Sequence, residues 1–251
     1  MDFCKKLALF LLMLLALPQV FAPEHPVNSV VSAAEESVYP ITGSDKAPHN
    51  IVGRINFSNG PSATGFVIGS DTILTNKHVA KNLKDGITGT FTLGINYNNS
   101  GKKVLGNYEL VSVIPAPNSD DDVAIIKVKP SQDNLPLDKV VNPAKIVNAN
   151  YIDEEWMKNS ADNQFHIAGY PGNKDRNIMW GSDGKLLKYG FNNKRIYVAD
   201  IISVPGNSGS PLFNKNNEVV GINSSTYGHT SNHAGGFLFK DDLYDFIMAN
   251  K

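Results

Sequence analysis

The sequence predicts an all-β protein, and three observations carry that reading. Short apolar runs are bounded by turn residues at a repeated spacing, they follow one another without intervening helices, and the one good helical period lies at the C-terminal end. In order, "ATGFVIGSDTILTN" reads as two strands around a turn at Gly69-Ser70-Asp71, "VAIIKVKP" as a strand stopped by Pro130, and "QFHIAGYPG" as a strand entering a loop. "RIYVADIIS" is another strand, and "SPLFNKNNEVVGINSS" is a hairpin turning at Lys215-Asn216-Asn217. "DEEWMKN", from Asp153, is a short helical candidate between two halves of the chain. In "KDDLYDFIMANK", Asp241 or Asp242 is placed to cap a helix whose Leu243, Phe246 and Ile247 share one face. Spacing alone leaves barrel and sandwich open.

The first residues read as a leader. Lys5 and Lys6 precede "LALFLLMLLAL", an apolar run too short to span a bilayer as a helix, which is the pattern of a secretory signal. Of two cleavage sites, "VFA" places Pro23 after the scissile bond, whereas "SAA" ends at Ala34 with small residues at the required positions. Residues 1–34 are therefore expected to be the signal peptide and Glu35 the mature N-terminus. Cys4, the only cysteine, precedes the apolar run, so the mature chain is expected to be cysteine-free and held by its core. Those features suit a bacterial protein released to the extracellular medium.

With 251 residues, 41% hydrophobic and 19% charged, the chain is long enough for a real core in one or two domains. Its 23 basic and 24 acidic residues nearly cancel, and no stripe of Lys and Arg interleaves with aromatics, which argues against a nucleic-acid partner. No membrane contact is expected after leader removal, and no cofactor or metal. His229 and His233 in "HTSNH" have metal-like spacing, but two ligands make no closed site and the surrounding residues read as a loop. His166, inside an apolar strand, reads as a hydrogen-bonded core histidine.

The chemistry concentrates at "VPGNSGSPLF". A nucleophilic serine needs a histidine to take its proton, a carboxylate to hold that ring, and backbone N–H groups aimed at the developing oxyanion. Ser208 sits between glycines, and the N–H groups of Gly206 and Ser208 are the natural oxyanion pair. The G-x-S-x-G elbow of α/β-hydrolases fails because Ser210 takes the last position and no helix follows. A subtilisin-like order fails on the same absence of a helix behind the serine. The remaining order is His, Asp, Ser: His78 follows a strand in "ILTNKHVA", and Asp122 opens one in "SDDDVAIIKV". The apolar run from Val123 to Ile126 marks the third aspartate as inward, with Asp120 and Asp121 expected to face solvent.

"TNKHV", "DVAIIKV", "GYPG" and "GNSGSP" together resemble the chymotrypsin-fold serine peptidases of Gram-positive bacteria, the group of the staphylococcal glutamyl endopeptidase, the exfoliative toxins and the Spl proteases. "EESVYPITGSDKAPHNIV" also resembles the mature start of the Spl proteases. The resemblance implies two antiparallel six-stranded β-barrels with a C-terminal helix, residues 35–141 and 142–251, with the site between them. It implies a monomeric serine endopeptidase acting on a protein or peptide substrate, with His78, Asp122 and Ser208 as its triad. The group's substrate-pocket threonine aligns with Ser203, and the histidine that binds a substrate glutamate aligns with Asn223. With asparagine there, a charged carboxylate at P1 (the substrate residue just before the scissile bond) loses its best partner, so a neutral polar P1 residue is expected. The alternative is a toxin-like or host-binding module that keeps the fold with a silent triad.

Overall fold

The computed structural model describes residues 38–98, 101–191, 193–227 and 233–251. The proposed leader, Glu35 and His229 lie outside them. Strands are the main regular structure of the described chain, and every pairing between named strands is antiparallel. Strands β2 (Val52–Phe57), β3 (Ser62–Val67), β4 (Thr72–Thr75), β5 (Gly89–Leu93), β8 (Gly106–Pro115) and β9 (Ala124–Pro130) close into a barrel in the order β2-β3-β4-β9-β8-β5. A short hairpin of β6 (Asn96–Asn98) and β7 (Gly101–Lys103) stands beside it. The strands arise where every second side chain is apolar: Tyr108 and Leu110 turn inward on β8 while Glu109 and Val111 stay outside. Ile55, Phe66, Leu74, Phe91, Tyr108 and Ile125 fill the interior, each buried side chain of this size contributing about 1.5–3 kcal/mol.

The second half is an eight-stranded curled sheet. Its order is β1 (Val38–Pro40), β11 (Trp180–Gly184), β10 (Phe165–Gly169), β14 (Pro211–Asn214), β15 (Val219–Tyr227), β16 (His233–Leu238), β13 (Asn193–Ile202) and β12 (Leu186–Gly190). It differs from the expected second barrel in how it closes. β12 occupies the outer edge of β13 from Asn193 to Ala199, leaving only the last residues of β13 to face β11. Closure is made there by single bonds: Ile202 N–H donates to Ser182 Oγ at 3.0 Å and Asp200 N–H to the Lys185 carbonyl at 3.0 Å.

Four short helices punctuate the strands: α1 (Lys77–Ala80), α2 (Leu137–Val140), α3 (Glu154–Asn159) and α4 (Asp241–Asn250). Asp153 caps α3 by accepting from Trp156 N–H at 2.7 Å. The expected Asp cap on α4 is absent: the cap position is Lys240, whose side chain makes no cap hydrogen bond, and the N–H of Asp241 donates to Asn150 Oδ1 at 3.2 Å. Asp241 instead adopts φ +48° and accepts from Asn150 Nδ2. Leu243 and Ile247 of α4 are buried in the cluster that also contains the first barrel's core. Among the described residues, no helix is long and apolar enough to cross a membrane, and no group of three His, Cys, Asp or Glu residues is arranged to hold a metal ion.

The N-terminal segment belongs to the second sheet before it enters the first barrel. Tyr39 on β1 lies opposite Gly181, and further along His49 meets His166 of β10, Nε2 to Nε2 at 3.3 Å, with His166 stacked on Phe213. One imidazole donates to the other, which holds only while the accepting nitrogen is bare. Burial, reinforced by His49 and opposed by Asp183, pushes His166 from 6.5 down to about 4; burial likewise lowers His49 against the pull of Asp183. Both titrate lower in the fold than in the unfolded chain, so their contribution is complete above about pH 6.5 and is lost as pH falls toward about 4. For His166 the loss amounts to about 3 kcal/mol. Urea midpoints measured from pH 7 to 4.5 should fall steeply for the wild type and less for His166→Gln; parallel curves would remove the histidine pair as the cause.

Candidate active site

The candidate catalytic and pocket residues all lie among the described residues. His78 lies in the first turn of α1, directly after β4, and Asp122 sits two residues before β9, which pairs with β4. That pairing brings the two together: His78 Nδ1 lies 2.6 Å from Asp122 Oδ2, and the His78 backbone N–H donates to Asp122 Oδ1 at 2.9 Å. Asn76 Nδ2 donates to the Asp122 carbonyl at 2.8 Å, fixing the loop from behind. Burial of Asp122 works against its ionisation, but the hydrogen bonds from His78 and Ser224 win and hold the carboxyl below its ordinary range. The imidazole is 42% exposed on its open side. His78, Gly206 and Ser208 border one cleft of about 210 Å³, walled by Phe57, Ala63 and Val79.

Ser208 comes from the second sheet, on the loop between β13 and β14. Its hydroxyl donates to the Ser224 carbonyl at 3.1 Å. Gly209 behind it has φ +87°, and a Cβ there would stand 1.9 Å from the Thr64 carbonyl, so the loop packs on β3 only with glycine. Gly206 has φ +103°, and a Cβ would lie 2.6 Å from the Tyr170 carbonyl. The Pro205 carbonyl accepts from Gly172 N–H at 2.7 Å. The Pro205–Gly206 bond is trans, so the Gly206 N–H points the opposite way, out of the packed side. Among the described residues, neither Gly206 N–H nor Ser208 N–H has an intramolecular acceptor.

Ser203 and Asn223 are buried next to each other, at 1% exposure each. Asn223 Nδ2 donates to Ser203 Oγ at 3.0 Å and to the Asn207 carbonyl at 2.9 Å. A carbonyl only accepts, so the amide orientation is fixed, and Asn223 Oδ1 is left buried without a donor. His166 is hydrogen-bonded, to His49, but only partly buried on β10, and His233 pairs in the ladder opposite Ile202 and Tyr227.

Asp121 corrects the sequence reading. It does not face solvent: at 1% exposure its carboxylate pairs with Arg195 of β13, whose other nitrogen reaches Asp242. Burial pushes Asp121 up against the pull of that guanidinium. Asp120 is the exposed member, bonded among the described residues to its neighbours Asn118 and Ser119. Ser224 was missed altogether; its Oγ donates to Asp122 Oδ2 at 2.5 Å. The adjacent serines of "INSS" carry no signal of which one faces the aspartate.

Two β-units with a histidine and aspartate on the first and a serine between glycines on the second define a chymotrypsin-like peptidase architecture. Residues 63–222 match the trypsin-like peptidase domain, and the chain belongs to that family. It is 33% identical over 195 residues to exfoliative toxin A of Staphylococcus aureus, an alignment covering 73% of this chain and 63% of that protein. It is 33% identical over 189 residues to a glutamyl endopeptidase of Staphylococcus epidermidis, covering 75% and 62%. The chain thus spans just under two thirds of the length of these relatives. A Glu endopeptidase solved in complex with MPD superposes with a TM-score of 0.68 at 23% identity, covering 86% of this chain and 97% of that one. A thermostable serine protease, AL20, superposes at 0.62 with 14% identity, covering 80% and 98%.

Proposed function

We propose that the protein is an exported bacterial serine endopeptidase. The observation that carries the reading is the uncommitted pair of N–H groups at Gly206 and Ser208, on the loop that faces the His78–Asp122 pair across the cleft. In the reaction, Ser208 Oγ exchanges its bond to the Ser224 carbonyl for one to His78 Nε2 and attacks the peptide carbonyl carbon. Its proton passes to Nε2, and the carbonyl electrons move to the oxygen, where the two N–H groups stabilise the charge. The imidazolium, steadied through Nδ1 by Asp122, gives the proton to the leaving amine as the C–N bond breaks. Water then repeats the sequence on the ester, releasing the acid and restoring Ser208. A fluorophosphonate probe should label Ser208 in the wild type; no labelling of folded protein would favour the silent module instead.

The P1 residue follows from what Ser203 and Asn223 leave unspent. Asn223 offers an acceptor, Oδ1, with no donor, and Ser203 retains its hydroxyl proton after accepting from Asn223. A side-chain amide matches both, donating to one and accepting from the other. A carboxylate would meet the orphan oxygen of Asn223, and a buried, poorly compensated charge is costly. The expected outcome of peptide-library profiling is a preference for Gln or Asn over Glu, Lys and Arg at P1. Asn223→His should move the preference toward Glu. A wild-type profile dominated by Glu would remove the assigned role of Asn223.

A further inference from the structure

One buried side chain, given no role by the reaction above, gathers the nucleophile loop onto the first barrel. Thr64 on β3 is fully buried. Its N–H donates to the Ser208 carbonyl at 2.9 Å, its hydroxyl donates to the Gly206 carbonyl at 2.8 Å, and the same Oγ1 accepts from Tyr170 N–H at 3.0 Å. Thr75 Oγ1, on the strand that leads to His78, donates to the Thr64 carbonyl at 2.9 Å. Neither local sequence nor strand periodicity singles this threonine out, since its partners lie 106 to 142 residues away.

We propose that Thr64 is the positioning residue of the oxyanion site, an inference that rests on the peptidase reading above. Three successive peptide groups build that site. Gly172 N–H fixes the first through the Pro205 carbonyl, and Asn223 Nδ2 fixes the third through the Asn207 carbonyl. The middle one, Gly206–Asn207, has its N–H on Val204 and its carbonyl on the Thr64 hydroxyl. Gly206 has no Cβ to restrict rotation of that plane, so the hydroxyl supplies the restraint the side chain cannot. Rotation of the middle plane swings the flanking Gly206 and Ser208 N–H groups apart. Held by Thr64, they converge on one point before any substrate arrives, which is the preorganisation that lowers the barrier.

The test is Thr64→Val, which keeps the shape and removes the hydroxyl, with Thr64→Ala made for the same comparison should the valine variant not fold. The expected result is a kcat lower by about 10²-fold, the usual effect of a small misplacement of catalytic groups. KM should stay within roughly twofold, because the lost interaction matters in the transition state. Thr64→Ser should recover most of the loss. A role in stability alone would lower the melting temperature without this split between kcat and KM. The second readout is the pair of backbone amide resonances of Gly206 and Ser208 in the resting protein, expected to broaden or double in Thr64→Val. A folded valine variant with wild-type kcat and unchanged resonances overturns the assignment. A wild type that hydrolyses nothing, but whose two resonances split in Thr64→Val, keeps the positioning role and overturns the peptidase reading.

Discussion

Ser208→Ala is expected to fold as the wild type does and to lose peptide hydrolysis by about 10⁶ in kcat. The separation of the two effects follows from how the residue is held. The backbone of Ser208 makes the structural contact, its carbonyl accepting from Thr64 N–H, and alanine keeps that bond. What disappears is the half-buried Oγ, whose one bond in the resting protein runs to the Ser224 carbonyl. Losing a single neutral hydrogen bond costs about 1 kcal/mol, so the melting temperature should move little. No other hydroxyl replaces it: Ser210 is fully buried and its Oγ has no hydrogen-bond partner, and Ser224 is committed to Asp122. Turnover of a fluorogenic peptide by purified Ser208→Ala, compared with fluorophosphonate labelling of the wild type, measures the loss. Near wild-type turnover would sink the mechanism.

Asp122→Asn is expected to lower kcat by about 10⁴ with the fold intact. The aspartate accepts at both oxygens: Oδ1 from the His78 backbone N–H, and Oδ2 from His78 Nδ1 and Ser224 Oγ. An asparagine has one acceptor oxygen and one donor nitrogen, so one of its ends must meet an N–H head on. If the amide oxygen stays on the backbone N–H, the NH₂ faces Nδ1, and the ring must turn that nitrogen into an acceptor by moving its proton to Nε2. The nitrogen facing Ser208 is then already protonated and takes no proton from it. Asp120→Asn is the matched control and should leave turnover unchanged, since Asp120 is exposed and, among the described residues, bonded within its turn. Equal activity of the two variants would show that the carboxylate has been misassigned.

What the sequence made legible is local or ordered along the chain. Strand positions followed from apolar runs and turns, the aspartate that meets His78 from the apolar run beginning at Val123, and the proposed nucleophile from its flanking glycines. Partners supplied from far away were not legible. Arg195, which draws Asp121 inward, is 74 residues distant, and nothing in "SDDDVAIIKV" announces a buried guanidinium. Ser224 and Thr64 are small polar residues on strands, and their neighbours decide whether they bond solvent or site. The closure of the second sheet was likewise hidden, because whether β12 or β11 claims the edge of β13 is settled by register, not by composition.

The division of the site between the two β-units has a consequence for the time course of synthesis. His78 and Asp122 lie on connections of a barrel whose strands are complete by Pro130, whereas Ser208 lies on a loop of a sheet that still needs residues up to Leu238. Domains emerging from a ribosome or a translocation pore fold from the N-terminal end as they appear. For that whole interval the growing chain carries the proposed base and its supporting acid without the proposed nucleophile in place. Even the early β1 waits, since its partner strand begins at Trp180. On the proposed reading, a cell making this protein is exposed to no partial activity from unfinished copies: the capacity to cut would appear in one step, late, when the last strands take their places.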